Sequence, residues 1–272
     1  MAEGSKRTVI VAGNCQASFL HRALQESPEL NDNYRLVYFR NFRKGDQGVL
    51  APEDLKDCAI LVEQIAHKAA ELPNKDLLPA DAKVIKFPIL WMNSLWPTAV
   101  KDPRNAPTEK YPAGPYPYGD RLVLKLLDEG LTPEQAADRY LQTDLNEVVD
   151  VARFHEINMI KAQSLDTRAD VKLGGHVYDN FAASRLFVTQ NHPTMPLLRY
   201  IADAIFDAIG VKAPESDLVW ASGGMQHVHM PVHPQVADAL GLKWYDPEIE
   251  YRYHDQKFRI AEFIRRYAAF EA

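Results

Sequence analysis

The stretch Thr8-Val9-Ile10-Val11-Ala12-Gly13-Asn14-Cys15-Gln16-Ala17-Ser18-Phe19-Leu20 decides the fold. Its apolar, partly β-branched start predicts a buried strand over Thr8–Ala12. Gly13-Asn14 breaks that strand. From Ala17 the apolar residues Phe19, Leu20, Ala23 and Leu24 recur at helical spacing, predicting a helix to about Gln25. Cys15 then stands where a strand turns into a helix. Backbone N–H groups are free there, and the helix dipole favours negative charge. A thiol so placed is expected to lose its proton near neutral pH and act as a nucleophile. The plain alternative is a small buried cysteine at a strand end.

Working outward, further strands are predicted over Arg35–Phe39, Ala59–Glu63 and Lys83–Phe87. Alternation of strands and helices predicts an α/β fold with a parallel sheet and flanking helices in the N-terminal part. Ligands bind beyond the carboxyl ends of such strands, the edge that carries Cys15. Six prolines lie between Pro97 and Gly119, with Tyr111, Tyr116 and Tyr118 among them. This segment suits a lid or binding loop and equally a surface crossover. The rest reads as mainly helical, with helices expected over Arg121–Glu129, after the Thr132-Pro133-Glu134-Gln135 capping box, and over Asp144–Gln163. Others are expected over Asp170–Ser184, Met195–Ile209, Gln235–Leu240 and Asp255–Phe270, with a short strand at Leu186–Thr189. One domain is expected over 1–272: an α/β portion (1–96), the Pro/Tyr-rich loop (97–119) and a mainly helical portion packing on the sheet (120–272).

The 272 residues include 46% hydrophobic and 25% charged residues, an ordinary globular balance. A formal net charge of −6 argues against a nucleic-acid partner. Two cysteines, Cys15 and Cys58, make no disulfide framework, and Cys58 reads as structural. No stretch suits a signal peptide or a membrane span, so the expected setting is cytoplasmic.

His192, in Thr189-Gln190-Asn191-His192-Pro193, is the preferred base, with Pro193 expected at the first position of the following helix and Asn191 able to orient the ring. The plain reading is that Asn191 or His192 caps that helix. Arg35, Arg40, Arg43 and Lys44 follow or flank the second strand and could receive cofactor phosphates, or could be solvated. Gln64 and His67 border the edge that carries Cys15. His227, His229 and His233 have the spacing of a zinc site, yet Pro231 and Pro234 disturb it, so a pocket wall or a cap at His233 is preferred to a metal. The Cys-x5-Arg spacing of cysteine phosphatases fails, since His21 stands six residues after Cys15. Neither the Gly-x-x-x-x-Gly-Lys nor the Gly-x-Gly-x-x-Gly phosphate loop is present in this segment.

Together, Gly13-Asn14-Cys15-Gln16, the polar turn at Gln64, Tyr118-Gly119-Asp120 and Asn191-His192-Pro193-Thr194 resemble the WcbI-type family of capsular polysaccharide biosynthesis enzymes. The resemblance implies a protein that binds coenzyme A and transfers acetyl from acetyl-coenzyme A to bacterial polysaccharide. It implies Cys15 and His192 as the active pair, with Gly13, Asn14, Gln16, Gln64, Asn191, Tyr118 and Asp120 around donor and glycan acceptor. The first motif is also similar to the Gly-Asp-Ser of serine esterases, with Asn14 and Cys15 in place of Asp and Ser. The leading expectation is acyl exchange through Cys15, with amides near Asn14–Gln16 stabilising the oxyanion. A direct transfer needs His192 alone as base. A thiol-dependent esterase or deacetylase, or a non-catalytic glycan- or nucleotide-binding component, uses the same residues.

Overall fold

Four parallel strands form the sheet: β1 (Thr8–Gly13), β2 (Arg35–Arg40), β3 (Cys58–Ile65) and β4 (Lys83–Pro88), in the order β2-β1-β3-β4. The computed structural model describes residues 6–41, 48–67, 72–223 and 225–270, so Arg43 and Lys44 lie outside the described residues. Every residue of β1 is buried, as expected of a central strand covered on both faces. Three helices connect the strands: α1 (Cys15–Leu24), α2 (Pro28–Asn33) and α3 (Pro52–Lys56). Ser27 caps α2, accepting from the Leu30 amide, and Pro28 opens that helix within its first turn. Ile10, Ala12, Phe39, Leu55, Cys58, Leu61 and Leu72 pack as one apolar cluster. The chain is thus α/β at its N-terminus and mainly helical after the sheet.

The chain divides into two compact units built from interleaved segments. The first comprises Met1–Leu90, Ile160–Asp179 and His192–Met225; the second comprises Trp91–Met159, Asn180–Asn191 and Gln226–Ala272. The sheet belongs to the first unit, with the helix Met195–Ile209, which buries Leu197, Leu198, Ile201, Ile205 and Phe206. Thr194 caps that helix and Pro193 lies in a short extended pair with His192, so neither Pro193 nor His192 starts the helix. The expected helix over Asp170–Ser184 begins only at Gly174 and ends at Asn180. The Asp166 carboxylate sets that start, accepting from the amides of Leu173 (3.0 Å), Gly174 (3.0 Å) and Gly175 (2.8 Å). A Cβ at Gly174 would meet that carboxylate at 3.0 Å.

In the second unit the helices Arg121–Asp128, Pro133–Gln142 and Ile260–Ala269 pack together, and the Thr132–Gln135 capping box is formed. The helix expected over Asp144–Gln163 is a short turn at Leu145–Glu147 followed by Val151–Asp166, which runs into the first unit. The terminal helix is preceded by a hairpin, Tyr251–Tyr253 with Gln256–Phe258, where one continuous helix was expected. His254 makes its turn at φ +55°. The Pro/Tyr-rich segment is pinned as a packed crossover: Tyr116 is buried, its ring stacked 4.9 Å from Tyr253, whose hydroxyl donates to the Pro115 carbonyl.

Asp120 corrects an expectation. Its carboxylate caps the helix Arg121–Asp128, accepting from the amides of Leu122 (2.8 Å) and Val123 (3.3 Å). It also accepts from the hydroxyls of Thr98 (2.5 Å) and Tyr140 (3.2 Å). With both oxygens engaged it serves the fold and leaves no free acceptor for a ligand. Asp120→Ala is expected to cost about 3 kcal/mol, since it removes a cap and strands two buried hydroxyls. Urea unfolding should show a lower midpoint at unchanged slope.

Candidate active site

Cys15 occupies the first position of α1, half-buried, directly after the strand end at Gly13. Asn14 caps the helix, its side-chain oxygen accepting from the Gln16 amide at 2.9 Å. The Asn14 amide donates to Gln64 Oε1 at 2.9 Å, and Gln64 Nε2 donates to Gln16 Oε1 at 3.0 Å. Gln16 closes the chain on β4's exit: Nε2 donates to the Leu90 carbonyl (2.9 Å) and Oε1 accepts from the Leu90 amide (3.1 Å). Asn14, Gln16 and Gln64 are only 7%, 1% and 6% exposed. They were expected to touch substrate or cofactor. Instead they are buried against one another and hold the turn that carries Cys15. The Asn14 and Gln16 amides, expected to line an oxyanion hole, already donate to these side chains.

Two further groups brace the turn. The Tyr38 hydroxyl is directed at the carbonyls of Gly13 (3.0 Å) and Asn14 (3.1 Å), and the Asn41 amide donates to the Gly13 carbonyl (3.0 Å). The sequence reading missed Tyr38; its place two residues before the end of the strand beside β1 was the available signal. Arg40 lies exposed at the end of β2, in register with Gly13. Arg35 sits at the opposite end of β2, paired with Asp54, and is thereby removed from that edge. His67 is exposed and makes a ring contact with the Lys161 carbonyl at 3.1 Å.

Burial sets the electrostatics. It pushes the Cys15 thiol above its ordinary value, although the backbone amides of Gln16 and Cys15 pull the other way. The expected resting thiolate is therefore corrected: desolvation outweighs the helix terminus. His192, in the same unit, is drawn down to about 4 by burial, so its imidazole is neutral at neutral pH. In the second unit Tyr118 and Asn191 come together, the Tyr118 hydroxyl donating to Asn191 Oδ1 at 3.2 Å. His233 caps the helix Pro234–Ala239, Nδ1 accepting from the Gln235 amide, and its other ring nitrogen contacts the Tyr140 carbonyl. Among the described residues no three His, Cys, Asp or Glu side chains are grouped to hold a metal. No helix among them is long and apolar enough to cross a membrane.

The profile of the family described as polysaccharide biosynthesis enzyme WcbI matches residues 8–214. The chain belongs to the WcbI family. A solved structure, described as native WcbI, a polysaccharide biosynthesis enzyme, without a disulfide bond between coenzyme A and a cysteine, shares its fold. The TM-score is 0.67 at 16% identity, over 97% of this chain and 89% of that one. No match was found among curated protein sequences. Family membership makes the chain a polysaccharide biosynthesis enzyme.

Two outcomes test this site. A Cβ at Gly13 would lie 2.6 Å from Gln64 Cβ and 2.7 Å from Ala17 Cβ. Gly13→Ala is therefore expected to cost about 1–3 kcal/mol by overpacking, measured by urea unfolding, and to change the alkylation rate of Cys15. The second concerns pH. His192 binds a proton less readily folded than unfolded, so between its unfolded value of 6.5 and about 4 the unfolded chain holds more protons. Stability is then lost as pH falls through that window. The urea midpoint should drop from pH 7.5 to pH 5, and His192→Gln should make that drop shallower. His229, also near 4 through burial, keeps the remainder.

Proposed function

We propose that this chain transfers an acyl group, most simply acetyl, from a coenzyme A thioester to a hydroxyl of a saccharide, in one step with His192 as base. The family supports the saccharide, and the relative described with coenzyme A supports the donor. A cytoplasmic location belongs to the same reading. The observation that carries the one-step form is the pair of opposed shifts at Cys15 and His192.

Burial raises the thiol and draws the imidazole down to about 4, so each rests in its neutral form. A preformed thiolate–imidazolium pair is thereby disfavoured. A neutral imidazole can instead take the proton of the saccharide hydroxyl as its oxygen attacks the thioester carbonyl. The carbon–oxygen bond forms, the carbon–sulfur bond breaks, and the departing thiolate recovers the proton from His192. Ester and thiol leave in balance with the thioester and alcohol that entered. In this scheme Cys15 lines the donor's sulfur end and Arg40, at the same sheet edge, meets a donor phosphate.

His192→Asn should lower kcat/KM by about 10²-fold or more. Cys15→Ala should keep activity within about tenfold of the parent. Intact-protein mass spectrometry with acetyl-coenzyme A and no acceptor should find Cys15 unmodified. An acetylated Cys15 that turns over on adding acceptor would replace the single step with two. Rapid thioester loss to water without any saccharide would make the chain a hydrolase.

A further inference from the structure

Arg185 stands in the second unit, two residues before the strand segment Phe187–Thr189. Its Nε donates to the Phe187 carbonyl at 3.3 Å. Its guanidinium carbon lies 5.2 Å from the ring centre of Tyr251 and 5.7 Å from that of Trp244. One terminal nitrogen is buried and donates to nothing among the described residues. The charges acting on it include no carboxylate, and burial pulls the guanidinium below its ordinary value.

His229 belongs to the same cluster. Its amide donates to the Arg252 carbonyl at 2.7 Å, which fixes the backbone beside the hairpin. Its Nε2 is buried and unpartnered. The charged groups acting on the ring, Arg185, Arg252 and Lys257, are all positive, and Gln226 supplies its backbone contact. A buried cation is normally matched by a counter-charge or a full set of acceptors. Ring stacking holds the guanidinium plane but satisfies none of its N–H donors.

We propose that Arg185 forms the centre of an oxyanion-binding site in the second unit, for a ligand bearing a phosphate monoester or a carboxylate, with Trp244 and Tyr251 fixing the guanidinium and His229, neutral at rest, donating from Nε2 once it takes up a proton together with the anion. The free terminal edge of an arginine meets either group with charge-assisted hydrogen bonds. Arg252 and Lys257, both exposed, add positive potential at its approach. Acyl transfer at Cys15 and His192 is not required for this binding.

The test uses the full chain at constant ionic strength, with sodium chloride as the balancing salt. Inorganic phosphate and acetate are titrated while thermal unfolding and tryptophan emission are followed. One or both should raise Tm above the chloride control. Arg185→Met should weaken the apparent affinity by about tenfold or more and His229→Gln by a smaller factor. Glucose 1-phosphate against glucuronate then separates a phosphate ligand from a carboxylate one. If Arg185→Met does not fold, Trp244→Phe serves instead: the emission change caused by phosphate or acetate should vanish. The proposal is overturned if neither anion exceeds chloride, if Arg185→Met responds as the parent does, or if Trp244→Phe keeps the full emission change.

Discussion

The chain of buried carboxamides from Asn14 through Gln64 and Gln16 to Leu90 is the constraint on which the site depends. Its direction is dictated by backbone groups at both ends. The Asn14 amide can only donate, so Gln64 must present oxygen to it and nitrogen to Gln16. Gln16 then faces Leu90 with nitrogen toward the carbonyl and oxygen toward both the amide and Gln64. Every member is matched, which is the condition under which polar groups inside an apolar sheet stabilise a single arrangement. An unmatched carboxamide here would cost about 1–3 kcal/mol. The network ties the exits of β1, β3 and β4 together. It thereby fixes the backbone at Cys15 more tightly than strand pairing alone would.

This explains what was legible in the sequence and what was not. All four strands of the sheet were readable from their apolar and β-branched residues, β1 as an unbroken buried run, and the structure moves their ends by only one or two residues. The helix Met195–Ile209 and the Thr132 capping box were readable from periodicity and local chemistry. The polar residues Asn14, Gln16 and Gln64 do lie at or beyond the carboxyl ends of the strands, yet their task was misread. Their partners lie 48 to 74 residues away, and satisfaction of a polar group is a tertiary property. Asp120 was misread for the same reason. The second strand of the hairpin, Gln256–Phe258, was absorbed into the terminal helix because the helical spacing of Ile260, Phe263, Ile264 and Tyr267 was extended too far back. Alternation of Tyr251 and Tyr253 about Arg252 was the overlooked signal.

The same burial that secures the turn governs its chemistry. A helix terminus offers a charged group about 0.3–1 kcal/mol, reaching about 2 in favourable sites. That is worth little more than one pK unit. Desolvation of a mostly buried thiol opposes it and is the largest influence on Cys15, so position at a helix start does not by itself produce a thiolate. Burial acts on His192 in the opposite direction, because the charged form of an imidazole is its protonated one. Each group is thus driven to neutrality, the thiol by keeping its proton and the imidazole by refusing one. Under the proposed transfer, two groups neutral at rest leave no standing ion pair to be dismantled when a thioester and a hydroxyl arrive. Charge need develop only as the new bond forms, in a low-dielectric setting where a correctly placed base is most effective. The strand-to-helix turn therefore contributes geometry, and burial sets the resting protonation states of Cys15 and His192.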